Sequence, residues 1–271
     1  MSKVLEGAYL EIANIVYENS GIALSDSKVE LVINRVAKRL KALSLQGVEE
    51  YLLYLKNNKS TELGNLLDVI TTNWTYLNRE YHHFVFLKAL IQEHFDTGSR
   101  KPFKLYSAGC STGEEILTAA MVFETFRQEH PSFSYEILGV DIDRNSLSVA
   151  QRGIYKIDII NVLSDESYRL VFDRGCDENE GYLKVKPSIL KNIKFVSQSV
   201  LKPVPGHSRF NAIFCRNVLI YFDLSSQIKA LNAFKSMISD NGFLFLGHSE
   251  NMSGKQSDFE LINQTIYRPM Q

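Results

Sequence analysis

The sequence predicts an α/β fold in which a mainly parallel sheet follows a small all-α N-terminal domain. Apolar residues recur at helical spacing through residues 1–70, without an intervening strand pattern. After residue 71, β-type runs alternate with helical runs, which is typical of a parallel sheet covered by helices on both faces. A charged segment at about 158–191 interrupts this alternation and ends in the strand-like run YLKVK. We expect it to form a small antiparallel β-subdomain inserted in the second domain, residues 71–271.

The helices of the first domain are predicted from apolar spacing and stop signals. Apolar residues share one face of the first helix, and Gly21 follows as a stop. The second helix carries an apolar stripe from Val29 to Leu43, with basic residues on its opposite face. Two shorter helices are expected at 48–57 and 61–70.

The elements of the second domain are predicted from the alternation itself. Strands are expected at 103–107, 135–141, 193–200, 210–215 and 242–247. Helices are expected at 114–127, 145–151 and 225–238, and the run 259–268 closes the chain.

Composition and charge narrow the class of protein. The 271 residues are 45% hydrophobic and 23% charged, and the net charge of -1 points to neither nucleic acid nor membrane. Three widely spaced cysteines without a CxxC predict neither disulfides nor zinc and favour a reducing cytosol. The six histidines show no ligand spacing, so no metal site is expected. With neither a signal-peptide core nor an 18-residue apolar stretch, we expect a cytoplasmic protein without membrane insertion.

A glycine-bearing turn follows the first strand in KLYSAGCSTGEE, residues 104–115. Gly109 and Gly113 bracket the turn, and the free N–H groups of a helix N-terminus adjoin it. The glycine spacing is not GxGxxG, and Glu114 and Glu115 would repel a pyrophosphate. The acids suit a ligand with hydroxyl and ammonium groups, although a plain strand–helix turn is the alternative.

The second strand ends in GVDID, residues 139–143. Asp141 is placed there to accept both hydrogen bonds of a ribose diol. The alternative role is a helix N-cap, for which Asp143 is better placed. Together with the glycine turn, this run predicts an adenosine ligand at the carboxyl ends of adjacent strands.

Two further runs place polar residues near the same edge. FCRNVLIYFD delivers Arg216 and Asn217 to the end of a strand, with Tyr221 a few residues on. A buried arginine there needs an anionic partner, and a structural ion pair is the alternative role. TTNWTYLNRE, residues 71–80, lies where a cleft between the domains would form, although alone it is typical of a linker and helix start. Its polar residues are Asn73, Thr75 and Arg79.

These runs, in this order, resemble the chemotaxis receptor methyltransferases of the CheR type. The matching runs are TTNWTYLNREYHHF, SAGCSTGEE, GVDID, FNAIFCRNVLIYFD and GFLFLGHSEN, within residues 71–251. The resemblance implies a class I S-adenosylmethionine-dependent methyltransferase sheet, Rossmann-like, with a terminal antiparallel strand and the β-subdomain. It further implies a bacterial protein-glutamate O-methyltransferase that forms methyl esters on methyl-accepting chemotaxis receptors and releases S-adenosylhomocysteine.

The resemblance also assigns site residues. Those implied to contact the cofactor are Asn73, Thr75, Arg79, Glu115, Asp141, Ser199, Val200, Arg216 and Asn217. Arg79 and Tyr221 are implied to lie close to the transferred methyl, as the catalytic pair. Five residues differ from the usual family pattern, namely Leu77, Asn78, Ile116, Leu117 and Ser199.

The expected partner is the glutamate-rich helical region of a receptor, bound by a monomer. The basic face of the second helix would dock it, and a merely solvated helix surface is the alternative. The docking residues would be Lys28, Arg35, Lys38 and Arg39. A methyltransferase for another protein or a small acid, and a non-catalytic cofactor-binding module, are the competing functions. Arg79 and Tyr221, both present, argue against the module.

Overall fold

The computed structural model places an all-helical part before an α/β part, as predicted. It describes residues 3–24, 29–71, 73–207, 209–252 and 258–270. The proposed docking residue Lys28 lies outside the described residues. Within these ranges, no helix combines the length and the apolar character needed to cross a membrane.

In the described residues of the N-terminal part, four helices share a core of their own. They are α1 (Lys3–Ser20), α2 (Val29–Leu43), α3 (Val48–Asn57) and α4 (Lys59–Ile70). Their buried core is built from residues such as Ile12, Val36 and Leu66. Gly21 ends α1 with φ +80°, and a Cβ there would lie 2.3 Å from a methyl of Leu201. The helical part is therefore packed closely against the α/β part.

The described α/β part contains ten strands and six α-helices. The strands are β1 (Phe103–Ala108), β2 (Tyr135–Asp141), β3 (Ile154–Lys156), β4 (Phe172–Arg174), β5 (Tyr182–Val185), β6 (Ile193–Ser197), β7 (Phe210–Cys215), β8 (Ile238–Leu246), β9 (Phe259–Asn263) and β10 (Ile266–Pro269). The helices are α5 (His82–Asp96), α6 (Glu114–Glu129), α7 (Arg144–Arg152), α8 (Tyr168–Val171), α9 (Pro187–Leu190) and α10 (Leu224–Met237).

Seven strands form the main sheet in the order β6-β2-β1-β7-β8-β10-β9. The first five of these are parallel, and β10 and β9 are antiparallel. The closing run 259–268 thus forms two strands, where a single terminal strand was expected. The buried residues on the two sides of the sheet belong to separate clusters, with Phe214 in one and Ile213 in the other. Such alternation follows from the period of two along a strand.

The inserted segment forms the expected antiparallel sheet, in the order β3-β5-β4. It begins at Ile154, four residues before the predicted start. The Tyr155 hydroxyl donates to the carbonyl oxygen of Thr112, 2.6 Å away, in the glycine turn. The β-subdomain thus supports the turn that follows β1.

Two of the proposed docking residues on α2, Arg35 and Arg39, are half-buried and bind within the helical domain. Arg39 donates two hydrogen bonds to the Glu62 carboxylate, at 2.8 and 2.7 Å, and Glu62 is buried. Arg35 donates to the carbonyl oxygens of Ile70 and Thr71 at the end of α4. Amphipathic spacing alone cannot distinguish a basic residue on the free face from one that reaches a neighbouring helix.

Replacing Arg39 with methionine is expected to destabilise the helical domain by about 3–5 kcal/mol, because the buried Glu62 would lose its cation. Burial alone would raise the pKa of Glu62, but hydrogen bonds from Arg39, Asn65 and Tyr51 outweigh it and lower the pKa. The pair therefore stabilises the fold above the ordinary carboxyl pKa, and this contribution is lost as pH falls through the lowered value. Thermal unfolding should show a deficit that is large at neutral pH and narrows in acid. The exposed Lys38→Met is the matched control, and an equal deficit in both variants would contradict the assignment.

Candidate active site

One cavity of about 380 Å³ opens between the helical domain and the carboxyl ends of β1, β2 and β7. Cavities of this size hold cofactors and small ligands. Every residue expected to contact cofactor or methyl lines it, although the sequence separates them by up to 148 positions, from residue 73 to residue 221. These residues are Asn73, Thr75, Arg79, Glu115, Asp141, Ser199, Val200, Arg216, Asn217 and Tyr221.

The glycine turn brings two loops into contact at the floor of the cavity. Gly109 has φ +77°, and a Cβ there would lie 2.4 Å from a methyl of Val218. Only glycine both adopts this conformation readily and leaves room for the loop after β7. Ser111, two residues on, also has a positive φ, and its buried hydroxyl has no hydrogen-bond partner among the described residues.

Asp141 and Asp143 have different roles in the structure, and the predicted N-cap role of Asp143 is confirmed. The Asp141 carboxylate accepts N–H groups of Ser111 and Asp143, at 2.7 and 2.9 Å, and it is buried beside the cavity. Burial raises the pKa of Asp141, while the backbone bonds oppose this rise. Each oxygen retains a lone pair for a ligand hydroxyl. Asp143 caps α7 instead, accepting from the N–H groups of Asn145 and Ser146.

The linker that carries Asn73 and Thr75 is tied to both domains. The Asn73 amide donates to Asp143 and, at 2.9 Å, to the Ser146 hydroxyl. On the other side, Arg35 holds the carbonyl oxygens at the end of α4 and also lines the cavity. Arg35 therefore holds the start of the linker that carries Asn73 and Thr75, a role that the predicted docking face does not include.

Arg216 is the centre of a buried charge cluster. Its side chain is 2% exposed, and its Nη1 lies 3.1 Å from a Glu115 oxygen. Its Nε lies 3.5 Å from a Glu80 oxygen, and the guanidinium also donates to the carbonyl oxygen of Arg79. Arg216 therefore has two anionic partners, Glu115 and Glu80, where the sequence predicted that it needs one. Glu80 was not among the site residues predicted from the sequence.

The two carboxylates of this cluster have opposite pKa shifts. Burial raises the pKa of Glu115, even though Arg216 and the Ser107 hydroxyl favour its charged form. Burial alone would raise the pKa of Glu80 as well. The hydrogen bond from His248 and the charge of Arg216 outweigh burial and hold this pKa below the ordinary value. The Glu80 carboxylate, 2.8 Å from Nδ1 of His248, thereby links the linker segment to the GHSE run after β8.

Glu250 is a second residue that sequence reasoning missed. Its buried carboxylate accepts four backbone N–H groups at 2.6–2.9 Å, from Gly247, Asn217, Val218 and Leu219. Three of them belong to the loop after β7 that carries Asn217 and Tyr221. The only available signal was an acid within GHSE, directly after an apolar strand.

Arg79 and Tyr221 both line the cavity, and each is tied to a different part of the chain. Arg79 donates to the carbonyl oxygen of Trp74, at 2.7 Å. The carbonyl oxygen of Tyr221 accepts the N–H of Ala23, at 2.8 Å, so the helical domain holds this loop from outside. Arg79 belongs to the linker before α5, and Tyr221 belongs to the turn after β7.

The departures from the family pattern lie mainly outside the cavity. Leu77, Ile116 and Leu117 are buried in the main core, and the Asn78 N–H donates to the Thr118 hydroxyl. Asn78 has φ +61°, a conformation that asparagine tolerates better than an aromatic residue does. Of the five, only Ser199 lines the cavity.

The unpaired polar atoms of the cavity fit S-adenosylmethionine. The Ser111 hydroxyl and the Asn217 Oδ1 are buried without a hydrogen-bond partner among the described residues. Buried polar groups without partners are costly, so these atoms indicate a polar ligand. Asp141 offers acceptors for a ribose diol, and Gly109 lines the same cavity.

A mainly parallel seven-stranded sheet with a glycine turn after β1, an acid at the end of β2 and a cavity across their ends is typical of a class I S-adenosylmethionine-dependent methyltransferase. The chain belongs to the CheR methyltransferase family. The model of the CheR all-alpha domain matches residues 8–71, and that of the CheR S-adenosylmethionine-binding domain matches residues 73–268.

Curated relatives are similar over almost the whole chain. The chemotaxis protein methyltransferase of Salmonella typhimurium is 35% identical over 263 residues, covering 96% of this chain and 88% of the relative. That of Escherichia coli K12 is also 35% identical, covering 96% and 89%. That of Borreliella burgdorferi is 33% identical over 265 residues, covering 95% and 92%.

Replacing Asp141 with alanine is expected to lower the affinity for S-adenosylhomocysteine at least about tenfold, because a charge-assisted hydrogen bond contributes roughly 1.5–3 kcal/mol. Calorimetric titration of the product into the folded variant measures this directly. Asp173→Ala, an exposed aspartate of β4, is the matched control. Wild-type affinity in Asp141→Ala would remove this residue from the ligand site.

Proposed function

We propose that this chain is a cytoplasmic bacterial enzyme that esterifies glutamate side chains of methyl-accepting chemotaxis receptors, acting as a monomer. Family membership supports the reaction class, and the names of the relatives support a chemotaxis protein as substrate. The observation that carries the proposal is the cavity that brings Asp141 and the glycine turn together with Arg79 and Tyr221.

The proposed reaction needs alignment more than acid–base chemistry. A glutamate carboxylate is ionised at neutral pH, so no general base is required. Bound S-adenosylmethionine supplies a sulfonium methyl group, to which a carboxylate oxygen bonds as the carbon–sulfur bond breaks and sulfur keeps the electron pair. The residues of the chain exclude water, hold the acceptor in line and favour its anionic form near Arg79.

Arg79→Ala and Tyr221→Phe are expected to lower kcat by roughly ten- to hundredfold, because both side chains would align the reacting groups. Folding should be unaffected, since Arg79 holds Arg216 through its backbone carbonyl, which alanine retains. Initial rates and thermal unfolding should be measured side by side. Arg268→Ala, at an exposed ion pair on β10, is the control. A wild-type rate in either site variant would show that its assigned role is wrong.

We retain receptor docking by α2 as a proposal in narrower form. Lys38 is exposed and available to an acidic partner, whereas Arg35 and Arg39 are engaged within the protein. Exposed cations raise encounter rates more than affinity, so this contribution should weaken with salt.

The function is tested by incubating the protein with radiolabelled S-adenosylmethionine and receptor-bearing membranes. Label is expected in the receptor as an ester that mild base releases as methanol. The Arg79→Ala variant serves as the background. Label in small acids alone, or none in the receptor, would contradict the proposed substrate.

A further inference from the structure

Four exposed apolar side chains converge on the entrance of the cavity. They come from helix α2, from the linker before α5 and from the turn after β7. We call them the apolar rim: Leu31 (46% exposed), Trp74 (77%), Tyr76 (41%) and Ile220 (47%), all lining the cavity. Single apolar residues on a surface need no explanation, but several around one opening are typical of a partner-binding site.

Trp74 belongs to an ordered cluster within this rim. The ring centroids of Trp74 and Tyr76 are 6.3 Å apart, and the Arg79 guanidinium carbon lies 5.9 Å from the Tyr76 centroid. Arg79 also donates to the Trp74 carbonyl oxygen. The entrance therefore combines one cation with two aromatic rings, which suits a partner that is anionic at one position and apolar beside it.

We propose that the apolar rim binds the acceptor as an amphipathic helix and that Trp74 is its main anchor. This inference rests on the proposed function, because it requires a protein glutamate as acceptor. On a helix, residues three and four positions apart lie on one face, with about 5–6 Å between their Cβ atoms. When the glutamate enters the cavity beside Arg79, the apolar residues one turn before and after it contact the rim.

A small free acid does not account for the rim. It would fill the cavity entrance and leave the exposed part of Trp74 in water. A helix covers the rim while its glutamate reaches inward, and exposed tryptophans at interfaces commonly contribute a large share of the binding energy. Specificity would then depend on the apolar neighbours of the acceptor as well as on its charge.

Trp74 is the only tryptophan in the sequence, so its fluorescence reports the rim alone. The probe is a tryptophan-free helical peptide with one glutamate and a leucine one turn to either side, titrated into the full chain saturated with S-adenosylhomocysteine. We expect a saturable shift of the emission to shorter wavelength. A matched peptide with serines in place of the leucines should bind at least about tenfold more weakly. Equal binding of both peptides, or no shift with the leucine peptide, would overturn the inference.

Activity provides the second readout. Trp74→Ala should raise the KM for receptor-bearing membranes about tenfold, and Trp74→Phe should restore most of the loss. The affinity of Trp74→Ala for S-adenosylhomocysteine should stay within about twofold of wild type. Leu261→Ala is the matched control, because Leu261 is 59% exposed on β9 and does not line the cavity. An unchanged KM in Trp74→Ala would show that Trp74 is not the anchor for the acceptor helix. A wild-type protein that binds the leucine peptide but forms no receptor ester would instead contradict the proposed function.

Discussion

Replacing Glu250 with glutamine is expected to lower kcat/KM by at least about a hundredfold while most of the fold persists. Each oxygen of this carboxylate accepts two backbone N–H groups, and three of the four come from residues 217–219. An amide has one acceptor oxygen, and its NH2 group would face two donors. The loop that presents Asn217 and Tyr221 would lose the contacts that hold it in place.

The other hydrogen bonds that hold this loop, from the N–H of Ala23 and the side chain of Gln227, reach its carbonyl oxygens and cannot replace an acceptor for its N–H groups. Asn217 has φ +60°, and a Cβ on Gly247 would lie 2.7 Å from the side-chain nitrogen of Asn217 and 2.8 Å from its backbone nitrogen, so the two segments meet without spare room. The measurements are initial rates, product affinity and thermal unfolding. Glu260→Gln, at an exposed acid on β9, is the matched control. Wild-type kcat/KM in a folded Glu250→Gln protein would show that the loop keeps its conformation without the carboxylate.

Replacing Arg216 with methionine is expected to lower the free energy of unfolding by about 3–5 kcal/mol, because two carboxylates would lose their buried cation. For a domain of this size the melting temperature should fall by roughly 6–20 °C. Methionine keeps much of the packing against Phe84 and Phe214, whose ring centroids lie 5.4 and 6.0 Å from the guanidinium carbon. The loss should therefore be chiefly electrostatic.

The pH dependence separates this cause from lost packing. Without the cation, the pKa of Glu115, which burial already raises, rises further. A carboxyl whose folded pKa exceeds its unfolded pKa destabilises the fold at higher pH, and this penalty disappears as pH falls below the unfolded value. The gap in melting temperature between variant and wild type should narrow in acid, and Glu115→Gln should restore part of the stability at neutral pH. A gap that stays constant with pH would indicate lost packing instead.

The class of fold could be predicted because its signals are local. Apolar spacing distinguishes the helices before residue 71 from the strand–helix alternation after it, and parallel strands bring their carboxyl ends to one edge of the sheet. From this rule we expected Asp141 and Arg216 to lie at the same edge of the sheet, and both line the cavity there. The β9–β10 hairpin was not predicted, although the polar residues Asn263, Gln264 and Thr265 interrupt the run between its two strands.

The partners within the site could not be predicted in this way. Glu80, Glu115 and Arg216 come from three segments, and nothing in their spacing indicates that two acids share one guanidinium. Glu250 accepts its four hydrogen bonds from backbone N–H groups. Nearly every residue carries such a group, so the sequence does not indicate which of them Glu250 binds.

The basic helix α2 shows the same difference between what the sequence determines and what the tertiary structure determines. The sequence by itself determined that one face of α2 is apolar and the other basic, since helical periodicity is a local property. Only the tertiary structure decided that Arg39 neutralises Glu62 and that Arg35 binds the end of α4, while Lys38 stays exposed. The physical reason is that burying an acid on one helix requires a cation from another, and packing alone selects which one is within reach.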